Sequence, residues 1–507
     1  MDFIDPTKQK HHKIKLYIGY SLMAVAVLLT TLVLLFLAYG YGFGKNGQII
    51  QNGLVFVSSQ PNPAKIYLNG GLINSTTNTR LQLPAGQYTL KLVRNGYRPW
   101  VRSLGVEGGS VEHFDYPFLF PIKLITTNLQ QYAAKPGLVT QSPDRRWLLI
   151  EQPGSPDSFY EYDLSNQTSA QLKSSLATIQ IPASIVTPSF GAQSWQLVQW
   201  STDNQHVLLK HDYQGGSEYI MLDRNNPAKS VNLTKTLALK PGVQVLLNND
   251  AYDQYYLLSP STKLLETATL NNPTPKVVLN NVLAYKSYGS NVVLYVTSQG
   301  APTGEVNVKI FQSGQSYQLQ HLPVDSSYLL NLTQYNGNWY VVCGDAIVDK
   351  VYVYENPVGQ IQAQPSMPLV PVDILKVTQP NYVAFSANAQ FVAAENGSHF
   401  AVYDAENNKG YVYELPNSVP SGQHASWMDG DRLTLATGGH VVVFDYDGAN
   451  LQTLEPAVNG ALPFFDQNYR WLYVLAPAAS GLQPTAGQLQ APRYVTSRTA
   501  LLIPADQ

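Results

Sequence analysis

The chain has 507 residues, enough for about three domains at roughly 150 residues each. Lys and Arg number 32 against 34 Asp and Glu, a formal net charge of −2 that excludes the basic footprint of a nucleic-acid binder. Hydrophobic residues at 44% exclude a disordered chain, and the single cysteine excludes an internal disulfide and Cys-rich metal sites.

Residues 16–43 carry no charge, and their centre at 22–38 is dense in Leu and Val. About 20 apolar residues span a bilayer. Tyr17, Tyr20, Tyr39 and Tyr41 stand near the two ends, where an aromatic belt belongs. A cleaved signal peptide has a shorter apolar core and a small-residue cleavage site, and the YGYG at 39–42 is a poor one. The segment 16–41 therefore reads as an uncleaved signal-anchor helix. Lys8, Lys10, Lys13 and Lys15 outweigh Asp2 and Asp5 in the preceding tail, residues 1–15. The positive-inside rule then predicts a cytoplasmic tail and an extracytoplasmic remainder after Lys45.

Residues 42–52 read as a short linker of Gly, Asn and Gln. Beyond them the chain is almost free of helical periodicity, and short runs of Val, Tyr, Leu and Thr alternate with turn residues. This pattern argues for an all-β sandwich, barrel or propeller.

Residues 53–120 hold the strands GLVFVS and AKIYL, the turn NGG at 69–71, then LQL, QYTLKLV and a turn at 94–97. They predict a small β-sandwich. The stretches GLVFVSSQPNPAKIYLNG (53–70) and LPAGQYTLKLVRNGYRPW (83–100) resemble the PEGA domain in the order of their elements. The name-giving tetrapeptide is Pro61-Asn62-Pro63-Ala64 here, with Pro63 where glycine is usual. The resemblance implies an extracytoplasmic module of envelope and surface-layer proteins without catalysis. In this reading Gly70, Gly86 and Gly96 serve turns, while Tyr67, Tyr88 and Tyr97 pack the core.

Residues 123–505 carry weak internal repeats. VTQSPDRRWLLI (139–150), VQWSTDNQHVLL (198–209), VAFSANAQFVA (383–393), ASWMDGDRLTL (425–435) and PFFDQNYRWLYV (463–474) each read strand, polar turn, strand. A third strand ending near Asp follows four of them: YEYDL (160–164), EYIMLD (218–223), HFAVYD (399–404) and VVVFDYD (441–447). Further units fall at 243–280, 282–322 and 327–376. Repeats of about 40–50 residues with four strands are propeller blades. They resemble those of TolB-like and WD40-like propellers. The expected fold is mostly β: a transmembrane helix, a PEGA-like sandwich, and an eight-bladed, alternatively seven-bladed, propeller. Residues 123–127 or 499–503 are expected to supply the outer strand of the last blade.

No G-x-S-x-G elbow or phosphate-binding loop occurs, and Gly-Gly-Ser at 108–110 and 215–217 reads as turn chemistry. His11 and His12 lie in the basic tail, and the remaining histidines are scattered. Asp445, Asp447 and Asn450 are spaced like the start of a calcium loop, but the Glu that such a loop carries at position twelve is missing, so a hairpin turn explains them better. Cys343 ends an alternating run and reads as a small buried hydrophobe. Sequons at Asn74, Asn166, Asn232, Asn331 and Asn396 fit surface loops. No catalytic, cofactor-binding or metal residue is singled out, no cofactor is expected, and the ligand-binding residues stay unassigned. The reading is a non-enzymatic, membrane-anchored envelope protein that recognises a protein or glycan. Two alternatives are a self-assembling surface-layer component and a propeller glycosidase or lyase.

Overall fold

The computed structural model describes residues 6–43, 48–165, 172, 175–189, 191–416, 419–420, 422–478, 493–503 and 506. The chain divides into two compact units, residues 1–123 with Asp506 and residues 124–505. Residues 1–5, the centre of the expected linker at 44–47, and the sequon Asn166 lie outside the described residues.

The first unit begins with the helix Pro6–Ala38. Its span Lys10–Ala38 has a mean hydropathy of 2.6 and is 0% buried, so it is long and apolar enough to cross a membrane. Thr30 and Thr31 donate their hydroxyls back to Ala26 and Val27 carbonyls, at 2.7 and 2.8 Å. That satisfies two polar side chains without water.

At the two ends of the stretch read as a linker, Tyr41–Phe43 lies antiparallel to the start of Ile49–Val57. That long strand then pairs with Thr79–Pro84 and, in parallel, with Val111–Phe114. A second sheet runs in the order Gly71–Thr76, Lys65–Leu68, Gly86–Val93, Trp100–Val106. Alternating residues Val55, Val57, Ile66, Leu90, Leu92, Trp100 and Leu104 meet in the core. Each such aliphatic side chain contributes roughly 1.5–3 kcal/mol by leaving water. Buried Ser59 lies 2.7 Å from Thr77, whose hydroxyl accepts the Ala64 N–H at 2.8 Å. Of the three expected core tyrosines only Tyr97 is fully buried. Tyr67 and Tyr88 are half-exposed, and the Tyr88 hydroxyl donates to the Pro84 carbonyl at 2.9 Å. Gly70 and Gly96 take left-handed backbone in turns, whereas Gly86 opens a strand.

In the second unit the described residues form eight successive four-stranded antiparallel sheets. The first seven occupy 139–180, 194–232, 244–279, 282–323, 328–376, 382–414 and 426–456. The eighth takes Phe464–Phe465, Trp471–Pro477 and Tyr494–Ala500 from the C-terminal end. Its fourth strand is Ile125–Tyr132, from the other end of the unit. Of the two segments expected to close the array, residues 123–127 begin this outer strand, and 499–503 only finish the strand before it. First strands of adjacent sheets, such as Val282–Tyr288, Tyr328–Tyr335 and Tyr382–Phe385, pack side by side.

The burial pattern follows from this stacking. Second strands such as Val292–Thr297 and Arg432–Thr437 are buried at every residue, because neighbouring sheets cover both faces. The outer strand Lys409–Glu414 alternates between exposed and half-buried. The recurring Asp at the end of the third strand accepts backbone N–H groups from its own turn. Asp223 Oδ1 takes Asn225 and Asn226 at 3.0 and 2.9 Å, and Asp404 Oδ1 takes Glu406 and Asn407 at 3.0 and 3.3 Å. These are Asx turns that end the strand and aim the chain into the next.

Candidate functional site

The second unit buries several ionisable groups, and their partners decide whether they do chemistry. Glu218 and His211 are both buried, with His211 Nδ1 3.0 Å from Glu218 Oε1. Glu218 Oε1 also accepts the Thr187 N–H, and Oε2 accepts the Thr187 hydroxyl and the Asn232 amide, each at 2.7 Å. Burial pushes its pKa up, but the hydrogen bonds from His211, Thr187 and Asn232 more than offset this and bring it down to about 2. The His211 ring stacks on Trp195 with 4.4 Å between centroids, and its Nε2 lies 3.0 Å from Gln193 Oε1. The polar side-chain atoms of this pair are thus engaged, and they tie Thr187 and Gln193 to the sheet.

Glu395 does the same for another loop. Both its oxygens accept the Ala425 N–H, at 3.0 and 3.1 Å, and burial raises its pKa to about 8 against that bond. Glu151 is raised to about 7, chiefly by burial, while a bond from the Leu138 backbone opposes the shift. Glu455, raised to about 7 by burial, takes the hydroxyls of Thr126, Thr499 and Ser497. It thereby fastens the outer strand of the eighth sheet. Arg224 pairs with Glu161 at 3.0 Å and lies 3.8 Å above the Trp147 ring. These groups anchor loops and strands. Among the described residues, no three His, Cys, Asp or Glu side chains converge to hold a metal ion.

The residues singled out from the sequence fall into the same structural roles. Asp445 Oδ2 accepts the Asn450 amide at 2.8 Å, and the Asp445 carbonyl accepts Gly448 N–H at 2.8 Å, which makes a hairpin turn of the calcium-like spacing. Cys343 is wholly buried, and burial pushes its thiol pKa up. All four described sequons depart from the loop expectation: Asn74 and Asn331 lie within the strands Gly71–Thr76 and Tyr328–Tyr335, Asn396 ends the strand Phe391–Asn396, and Asn232 is buried and donates to the Ile185 carbonyl and Glu218. Side-chain satisfaction and strand pairing overrode the local sequence there.

The fifth sheet departs from a tight hairpin between its outer strands. The third and fourth strands of the fifth sheet, Lys350–Glu355 and Asp373–Lys376, are joined by residues 356–372. The equivalent link in the fourth sheet is only Ser313 and Gly314, both with positive φ, as a two-residue hairpin requires. The long link carries the helix Pro357–Ala363, which the sequence reading missed. Its signal was present: Pro357 at the first helical position, then an apolar pair, Val358 and Ile361, spaced by three. That pair packs on the core beneath the fourth and fifth sheets.

Between this helix and the short hairpin lies a cavity of about 510 Å³. Its lining includes Gln312, Ser313, Tyr317, Trp339, Asn356 and Gln362 and contains no charged residue. Asn356, in left-handed backbone with φ 44°, grips Trp339 from both sides. Its N–H donates to the Trp339 carbonyl at 2.7 Å, and its Oδ1 accepts the Trp339 N–H at 2.8 Å. The Trp339 ring stands edge-on to Tyr288 at 5.1 Å. Gln362 donates to the Tyr317 hydroxyl at 2.9 Å, tying the helix to the fourth sheet.

The PEGA domain family matches residues 52–118. This stretch is a PEGA domain. The PEGA strands are those of the two-sheet sandwich described above. No curated protein matches the chain. Solved structures similar to it include two that are propellers by title. The Dos1 propeller has a TM-score of 0.45 at 11% identity, covering 74% of this chain and 94% of its own. The Cps50 (Swd1) β-propeller domain of Myceliophteria thermophila has 0.37 at 12%, covering 65% and 100%. An oligogalacturonate lyase in complex with manganese has 0.35 at 10%, covering 73% and 99%. No activity passes to this chain from likenesses so distant.

Proposed function

We propose that this chain is a membrane-anchored extracytoplasmic binding or scaffolding protein that recognises a protein or glycan of the cell envelope. The observation that carries this reading is the fully exposed apolar helix joined to a PEGA domain within one compact unit. The tail's lysines favour a cytoplasmic N-terminus. The eight sheets form one eight-bladed propeller, closed where Ile125–Tyr132 completes the last sheet. Buried Glu218, Glu395 and Glu455 are taken up in fastening loops and strands, which supports recognition rather than catalysis.

Two measurements test this. Protease accessibility of an N-terminal and a C-terminal tag in intact cells and in lysed cells reports topology. Protection of only the N-terminal tag in intact cells is expected; protection of the C-terminal tag overturns the orientation. Affinity capture of envelope fractions on the immobilised full-length protein reports recognition. Retention of no envelope component removes the binding reading.

A further inference from the structure

We propose that the cavity between the fourth and fifth sheets is a binding site for a neutral saccharide unit. The inference deepens the binding reading above and rests on it. Its volume of about 510 Å³ falls in the range of small-ligand sites, roughly 300–1,000 Å³. An uncharged lining offers no counter-charge to a phosphate, a uronate or an ammonium group, so such ligands would lose hydration without compensation. A neutral sugar has the opposite needs. Its hydroxyls each require a donor and an acceptor, and carboxamide and hydroxyl side chains supply both. Gln312, Ser313 and Gln362 present such groups at the rim, and Gln312 and Ser313 have no side-chain partner among the described residues. The C–H face of a pyranose is apolar and matches an aromatic surface. Trp339 and Tyr317, both half-buried, provide that surface.

Pre-organisation supports the same conclusion. The Trp339 backbone is clamped by Asn356, its ring is braced by Tyr288, and Tyr317 is held by Gln362. A site whose aromatic walls are already immobilised loses little side-chain entropy on binding. The insertion that builds it is the long link of the fifth sheet, and long ordered connections in compact domains are commonly functional. A proline-rich peptide also stacks on aromatic side chains, but its backbone offers mainly acceptors, which would leave the amide oxygens of this rim unpaired.

Gly359 lines the cavity, and no atom stands within 4 Å of where its Cβ would be. A Cβ at this position therefore has open space around it, and Gly359→Phe is expected to put its ring at the cavity while replacing a poor helix former. The test is calorimetric titration of the full-length protein in detergent with maltohexaose, cellohexaose and chitohexaose, beside a uronate oligomer and hexaproline. At least one neutral oligosaccharide is expected to bind. Gly359→Phe is expected to weaken it by about tenfold or more with an unchanged melting temperature, and Gln362→Ala by about threefold to tenfold. Failure of all three neutral sugars to bind, preference for the uronate, or binding equal in wild type and Gly359→Phe each overturns the proposal. Hexaproline binding that Gly359→Phe abolishes overturns the saccharide class and assigns the cavity to peptide. Envelope capture unchanged by Gly359→Phe overturns this site while the broader reading stands; loss of all capture in the wild type removes both.

Discussion

His211 and Glu218 sit on adjoining strands with Nδ1 and Oε1 3.0 Å apart and both side chains buried, and Glu218 collects its remaining hydrogen bonds from Thr187 and Asn232. Four donors on one carboxylate leave no room for an amide. Glu218→Gln turns one oxygen into a donor facing donors, and is expected to cost about 3–5 kcal/mol, read from the denaturant midpoint. The pH dependence has a definite sign. The folded pKa, about 2, lies below the ordinary value of 4.5, so the pair's stabilisation is present above pH 4.5 and is lost as pH falls toward 2. Glu218→Gln should remove that acid-side slope, and an unchanged slope would show that Glu218 is not the group responsible.

Glu395 has the reverse sign. Its folded pKa, about 8, lies above the ordinary 4.5, so the native state binds the extra proton and stability declines as pH rises between those values. Glu395→Gln keeps an acceptor for the Ala425 N–H. The variant is expected to match wild type near pH 4 and to exceed its stability at pH 9, by on the order of 3 kcal/mol. Thermal melts across pH 4–9 check this, and parallel curves for the two proteins would refute it.

Arg224 and Glu161 form a buried pair at 3.0 Å, with the Arg224 guanidinium stacked over the Trp147 ring. Removing one partner strands the other charge. Arg224→Met alone is expected to cost about 3–5 kcal/mol, whereas Arg224→Met with Glu161→Met should recover most of that loss. A double-mutant cycle with no coupling would show that the stacking on Trp147, not the charge pair, fastens Arg224.

The eighth sheet is completed by a strand distant in sequence. Leu129 is buried, and Tyr132 hydrogen-bonds Thr496 at 3.0 Å. Residues 124–507 should unfold in one cooperative transition. Residues 134–507, lacking that strand, should lose cooperativity or aggregate through the exposed edge of Tyr494–Ala500. Equal cooperativity in the two proteins, by circular dichroism and intrinsic fluorescence, would show that closure contributes little.

Much of the architecture was legible in the sequence. Val292–Thr297 and Glu305–Gln312 announced themselves as β-branched runs, and the Asp ending HFAVYD marked the turn because its carboxylate accepts the N–H groups of Glu406 and Asn407, two and three residues on. The PEGA strands showed their alternation plainly. The pairing of Tyr41–Phe43 with Ile49–Gln51 was hidden, because Gly and Asn residues mask strand propensity where partner strands supply the stability. Asn232 was equally hidden: a sequon reports local composition, and its burial depends on Glu218 and Ile185.

By itself the sequence determined the apolar helix, the sandwich, the four-stranded repeat and the places where strands end, since these follow from local periodicity and turn chemistry. Only the tertiary structure decided the cavity. Gln312 and Tyr317 come from one sheet, Trp339, Asn356 and Gln362 from the next, and the space between them exists only when the two sheets stack and the inserted helix docks. It also decided which carboxylates carry perturbed pKa values, because burial and hydrogen bonding across distant segments are properties of the packed chain.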